Sequence, residues 1–150
     1  MSYVEKSLGS DEEIKHIFKL HWFSTVSIYF FWIAATVFAA VFLTPGDEFY
    51  AGIVLCGFLG LPFVVYFHLR LINIEYAVTS KRVILKTGII ARKTREQLLV
   101  KVETVAVKQG ILERIFGYGN VQITGTGASI LIFKGIDMPL EAKKKIEELL

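Results

Sequence analysis

Two stretches decide how this chain is built: Trp22-Phe23-Ser24-Thr25-Val26-Ser27-Ile28-Tyr29-Phe30-Phe31-Trp32 running on to Leu43, and Phe49-Tyr50-Ala51-Gly52-Ile53-Val54-Leu55-Cys56 running on to Leu69. Neither contains Asp, Glu, Lys or Arg. A helix rising about 1.5 Å per residue needs about 20 apolar residues to cross a bilayer core, and each stretch is that long. A signal peptide does not fit the first stretch. It follows a polar, partly acidic segment, and no small-residue cleavage site comes after it. A buried hairpin of a soluble protein fits poorly, because such helices rarely lack charge over this length. The expectation is a transmembrane hairpin over 22–69, with spans 22–43 and 49–69.

The link Thr44-Pro45-Gly46-Asp47-Glu48 is a turn by its Pro and Gly and carries no basic residue. Lys15 and Lys19 precede the first span, and Arg70, Lys81 and Arg82 follow the second. Basic residues near span ends collect on the cytoplasmic side, so both termini are expected there. Trp22 and Tyr50 lie at span ends as interface aromatics, while Trp32 and Tyr66 read as interface or packing residues. Pro62 is expected to kink the second helix, and Gly52, Gly57 and Gly60 to let the helices approach closely. His68 reads as an interfacial residue. The spans hold no ionisable acid or base at the midplane, which argues against a transport path. Cys56, the single cysteine, allows no internal disulfide and reads as a packing residue.

Residues 1–21 form an N-terminal segment. Residues 1–9 look loosely ordered. Ser10-Asp11-Glu12-Glu13 has the form of a capping box, and Ile14, Ile17, Phe18 and His21 follow at helical spacing. A short amphipathic helix is expected, lying on the membrane surface or packed on the domain that follows.

Beyond the second span, residues 70–150 change texture. Ile72, Ile74, Tyr76 and Val78 alternate with polar or small residues, the signature of a half-buried strand. Thr79-Ser80-Lys81 reads as a turn and Arg82–Lys86 as the return strand. A third strand is expected over 89–93, and β-rich stretches over 98–100 and 102–109. Residues 110–116 read as one helical turn. Two more strands fall at 121–124 and 130–134, joined at Gly125-Thr126-Gly127. Asp137 is placed to cap a final amphipathic helix running to Leu150, with Met138, Ala142, Ile146, Leu149 and Leu150 on its apolar stripe. The fold class is therefore α+β: a two-helix hairpin followed by about seven short strands in a sandwich or partly open barrel closed by a C-terminal helix.

Several phrases then resemble a known family. They are Tyr76-Ala77-Val78-Thr79-Ser80-Lys81-Arg82-Val83-Ile84-Leu85, Thr87-Gly88-Ile89-Ile90 with Arg92-Lys93-Thr94, Val102-Glu103-Thr104-Val105-Ala106-Val107-Lys108-Gln109, Phe116-Gly117-Tyr118-Gly119-Asn120-Val121, and Ile123-Thr124-Gly125-Thr126-Gly127. Together they resemble the bacterial pleckstrin-homology-like family of membrane proteins with two N-terminal spans. The resemblance implies two nearly orthogonal sheets closed by a C-terminal helix and a bacterial inner membrane; it does not imply an enzymatic activity, and none is expected. Eukaryotic relatives in fold bind phosphoinositides through basic residues near the first hairpin, where Lys81, Arg82 and Lys86 lie here.

Charge is concentrated in the same region. From Arg70 to Lys108 there are nine basic and three acidic residues, a net of +6, while the whole chain carries +3. Candidate lipid-binding residues are Arg70, Lys81, Arg82, Lys86, Arg92, Lys93, Arg95 and Lys101. The linker after the second span is very short, which keeps the domain near the headgroups. The cluster reads either as a docking face for anionic lipid or as a solvated face that satisfies the orientation rule. Nucleic acid is not an expected partner, since stacking aromatics are not interleaved with the basic residues. His16, His21 and His68 are too scattered for a metal site. Gly117/Gly119 and Gly125/Gly127 open no helix, so they are hairpin glycines rather than a dinucleotide loop. No nucleophile–base arrangement is visible, and no cofactor is expected. Two functions remain: a membrane-anchored scaffold that holds another membrane protein or copies of itself, and a module that docks on anionic lipid headgroups.

Overall fold

The computed structural model describes residues 4, 7–9, 11–43, 46, 49–89 and 91–150. They divide into a helical unit, Trp22–Ile72, and a β unit made of Asn73–Leu150 together with the described residues up to His21.

The helical unit holds α1 (Trp22–Leu43) and α2 (Phe49–Ile72), the second running past the expected end at residue 69. Both are long and apolar enough to cross a membrane. Only 6% and 11% of their most apolar windows are buried, whereas a core helix of a soluble protein would be mostly covered. Their apolar exteriors match lipid instead. The helices meet through small residues, as expected at a membrane helix interface. The Trp32 indole lies directly over Gly60, and the Thr36 methyl is 3.8 Å from where a Cβ on Gly57 would stand. Trp32 is thus a packing residue, while Trp22 and Tyr50 are exposed near the helix ends. His68 Nδ1 lies 3.1 Å from the Tyr29 hydroxyl and links the two helices by a hydrogen bond. Gly60→Leu forces a branched side chain against the indole, and such overpacking costs about 1–3 kcal/mol. The variant is expected to melt earlier in detergent, with Trp32 fluorescence reporting the separation of the helices.

Seven strands are found among the described residues, in two antiparallel sheets. The first has the order β1 (Ile14–Phe18), β2 (Glu75–Thr79), β3 (Arg82–Thr87), β4 (Lys93–Leu98). The second has the order β5 (Val102–Lys108), β6 (Tyr118–Gly125), β7 (Ser129–Asp137). Between β5 and β6 sits α3 (Ile111–Ile115), and α4 (Pro139–Glu147) ends the fold. The ladders stay within their own sheets and do not join into a barrel, so the arrangement is a sandwich. Inward residues alternate along the strands, most cleanly in β6, where Gly119, Val121, Ile123 and Gly125 are buried and their neighbours are not. Phe133 at the centre contacts Tyr76 across the sheets, with ring centroids 4.7 Å apart. Ala142 and Ile146 of α4 complete this core.

Five local expectations are corrected. Residues 14–18 form an edge strand rather than a helix: Ile14, His16 and Phe18 are half-buried and Lys15 and Ile17 exposed, a period of two. The open edge of β2 supplies backbone partners, pairing Ile17 with Ala77 and Phe18 with Tyr76, and this tertiary pairing outweighs the local capping pattern. Ser10, the expected cap, lies outside the described residues. The N-terminal residues are not loose where described: Val4 is buried against Ala77 and Ile84 on the outer face of the first sheet. The third strand starts at Lys93 rather than residue 89. Gly88 takes φ +99°, and a Cβ there would collide with the Ala91 carbonyl oxygen. The stretch 99–101 is a single 3-10 turn, not a strand. Finally, α4 is entered through Met138 in the left-handed region with Pro139 at the first helical position, and Asp137 stays in β7.

Candidate functional site

Strand register divides the β unit into two ends. Glu75 opens β2 three positions after Ile72, the last residue of α2. It pairs with Lys86, which pairs with Thr94, and Thr87 pairs with Lys93. The β3–β4 turn therefore lies level with the start of β2. Phe18, at the end of β1, is level with Tyr76. From there the chain crosses to the second sheet. Leu20 bridges Ile136, the His21 amide donates to the Gly135 carbonyl at 2.8 Å, and the Asp137 amide donates to the Lys19 carbonyl at 3.2 Å. The His21 ring stacks on Tyr118 at 5.2 Å. His21 is the last residue before α1. Both points where the chain leaves for the helices therefore lie at one end, here called the junction end.

Of the candidate residues, Arg92 and Lys93 sit at this end, exposed on the β3–β4 turn. Arg95 is exposed further along β4. Lys81 and Lys101 are exposed at the opposite end, where the Leu99 amide donates to the Lys81 carbonyl at 2.9 Å. Arg70 belongs to the last turn of α2. The eight residues thus do not form one patch.

Two of them are held inside the fold. Lys86 is buried, with its ammonium 2.7 Å from the Glu75 carboxylate. Arg82 donates from Nε and Nη2 to the two oxygens of Glu12, each at 2.8 Å. It also donates to Glu96 at 2.6 Å and to the Ser7 carbonyl at 2.7 Å. Glu12 in turn accepts from the Thr79 hydroxyl at 2.5 Å and the Gly9 amide at 3.1 Å. The Arg82 guanidinium beside it holds the Glu12 carboxyl down to about 2; burial opposes this, and the Thr79 and Gly9 donors add to it. These groups clamp the N-terminal segment onto the sheet. Glu12, Glu75 and Glu96 escaped the sequence reading, because only the register shows which basic residues they meet.

A second feature also escaped it. Ile111, Leu112 and Ile115 of α3 are 84%, 64% and 70% exposed, against the usual burial of such residues.

The model of the family described as bacterial PH domain matches residues 28–150. The chain belongs to this family. The match starts within α1, so in this bacterial PH protein most of the helical pair is part of the family unit along with the β sandwich. No curated protein and no solved structure matches the chain.

Proposed function

We propose that this bacterial PH protein is a membrane-anchored module, with both termini on the cytoplasmic side of a bacterial inner membrane, whose junction end docks on anionic lipid headgroups. One observation carries the reading: the end of the sandwich from which the chain leaves for both apolar helices also presents Arg92 and Lys93. Asn73 and Ile74 alone separate α2 from β2, and two extended residues reach only about 7 Å. The reading requires the turn to lie within the roughly 8–10 Å over which basic residues feel an anionic leaflet. Each contributes about 1 kcal/mol there. Arg82 and Lys86 stabilise the sandwich and do not face lipid in this reading.

The test is amide exchange over 87–93 in the full chain, reconstituted in nanodiscs of phosphatidylcholine with or without phosphatidylglycerol. Protection is expected in the anionic discs only. It should be lost in 1 M salt, where the screening length falls to about 3 Å. Arg92→Glu with Lys93→Glu should remove at least about 2 kcal/mol of docking energy and the protection with it. Equal exchange in both kinds of disc would sink the proposal.

A scaffold role is the second reading. The observation that favours it is the outer face of the second sheet, where Ile130 and Ile132 of β7 are 49% and 36% exposed. An interface there would persist in high salt. A larger homogeneous assembly, or a stoichiometric second membrane protein, would appear when the chain is purified in mild detergent.

A further inference from the structure

The short helix α3 is built to expose its apolar side chains. Glu113, its acidic residue, is turned onto the domain, accepting from the Gly110 amide at 2.7 Å and the Asn120 side chain at 3.3 Å. Arg114 is exposed instead. Ile111, Leu112 and Ile115 are all solvent-facing, and Phe116 follows them at 40% exposure. The patch continues onto the end of β7: the Met138 amide donates to the Gly117 carbonyl at 3.1 Å, and the Met138 side chain is 56% exposed. Such a cluster is unusual on a free protein surface and marks a surface that meets something apolar.

Its place in the fold says what that is. Phe116 lies two residues before Tyr118, whose ring stacks on His21. The next residue after His21, Trp22, opens α1. The patch thus lies at the junction end, continuous along the chain with a helix suited to a bilayer. Its charge pattern fits an anionic leaflet, with the acidic group withdrawn and the basic one presented. We infer that α3 is a membrane-insertion element, whose Ile111, Leu112 and Ile115 enter the boundary between headgroups and acyl chains while Arg114 stays at headgroup level. This rests on the docking reading above and adds an apolar anchor to it. The mode is that of an interfacial amphipathic helix, here a single turn on a rigid sheet.

The test uses the full chain with Cys56→Ala and a single new cysteine carrying an environment-sensitive fluorophore, in vesicles of phosphatidylcholine and phosphatidylglycerol. The cysteine replaces Ile115, Leu112, Ala91 or Val100; Ala91 is exposed on the β3–β4 turn, and Val100, 90% exposed at the opposite end, is the aqueous reference. Labels at Ile115 and Leu112 should emit at shorter wavelength, lose quenching by iodide, and be quenched by shallow lipid-borne spin labels. This should persist in 1 M salt. Labels at Ile115 and Leu112 that stay as open to iodide as the Val100 label would overturn the inference. If the Ala91 label is then still shielded in anionic vesicles, headgroup docking stands without insertion; if it is also open, both readings fall. Shielding from iodide without quenching by the spin-labelled lipid would mean a protein covers α3, which also overturns insertion.

Discussion

Arg82→Ala is expected to destabilise the β unit by about 3–5 kcal/mol, the cost of removing one partner of a buried ion pair. The Glu12 side chain is 4% exposed and faces the Arg82 fork with both oxygens. Without the guanidinium, its charge keeps only the Thr79 and Gly9 donors. The Ser7 carbonyl and Glu96 lose a donor too, so the N-terminal segment should detach and expose Ala77 and Ile84 beneath Val4. Arg82→Lys should recover only part of the loss, because an ammonium cannot reproduce the planar fork. Urea unfolding of the full chain in detergent measures this. A loss below about 1 kcal/mol, the worth of an exposed pair, would contradict the account.

Acid supplies an independent check on the same pair. The Glu12 carboxyl is held at about 2 in the fold, below its ordinary 4.5. Its contribution is therefore complete above the ordinary value and is lost as pH falls from there towards 2. The native chain should lose stability across that window. The Arg82→Ala variant, weaker at neutral pH, should lose less on acidification, so the two curves converge.

Phe133→Ala should cost a similar amount, about 3–5 kcal/mol, by leaving a cavity in the core. The ring is fully buried on β7, between Tyr76 of β2 and Phe18 of β1 at centroid distances of 4.7 and 6.2 Å. It links the two sheets through side chains, in addition to the backbone bridge from Leu20 to Ile136. The Tyr76 hydroxyl makes the parallel polar link, donating to the Lys134 carbonyl at 2.9 Å and accepting from the Lys134 amide at 3.0 Å. The variant should retain the α1–α2 pair, which is a separate compact unit. Near-ultraviolet circular dichroism should therefore show the Tyr76 signal weaken in urea before the tryptophan signal of the hairpin changes.

The parts of the fold that were legible in the sequence are those governed by local periodicity. The two uncharged runs are helices at the expected places, the alternation over 72–78 marks β2, and the stretches expected as strands at 82–86 and 121–124 lie within β3 and β6, although 118 and 119 read as a turn and belong to β6. What failed depended on distant partners. The segment 14–18 carries both a helical and a strand reading, and only the open edge of β2 decides between them. The placement of the candidate residues also depends on distant partners. A run of basic residues between 70 and 101 looked like one surface, but pairing with Glu12, Glu75 and Glu96 withdrew Arg82 and Lys86, and register sent Lys81 and Lys101 to the far end. The apolar face of α3 was in view as 111–116 and passed for an ordinary helical turn, since exposure is not written in a single turn's composition.

The placement of β1 has a consequence for how the protein is made. The strand leaves the ribosome before either apolar helix, yet its hydrogen-bonding partner β2 follows both. Strands cannot pair through a lipid bilayer, so the proposed membrane anchoring requires 14–18 and 75–79 to come to rest on the same face. Under that anchoring the β1–β2 ladder is a clasp that fastens only after the hairpin has inserted. In that setting a nascent chain threaded with an odd number of crossings would leave the first sheet with a missing edge and Ala77 and Ile84 uncovered by Val4.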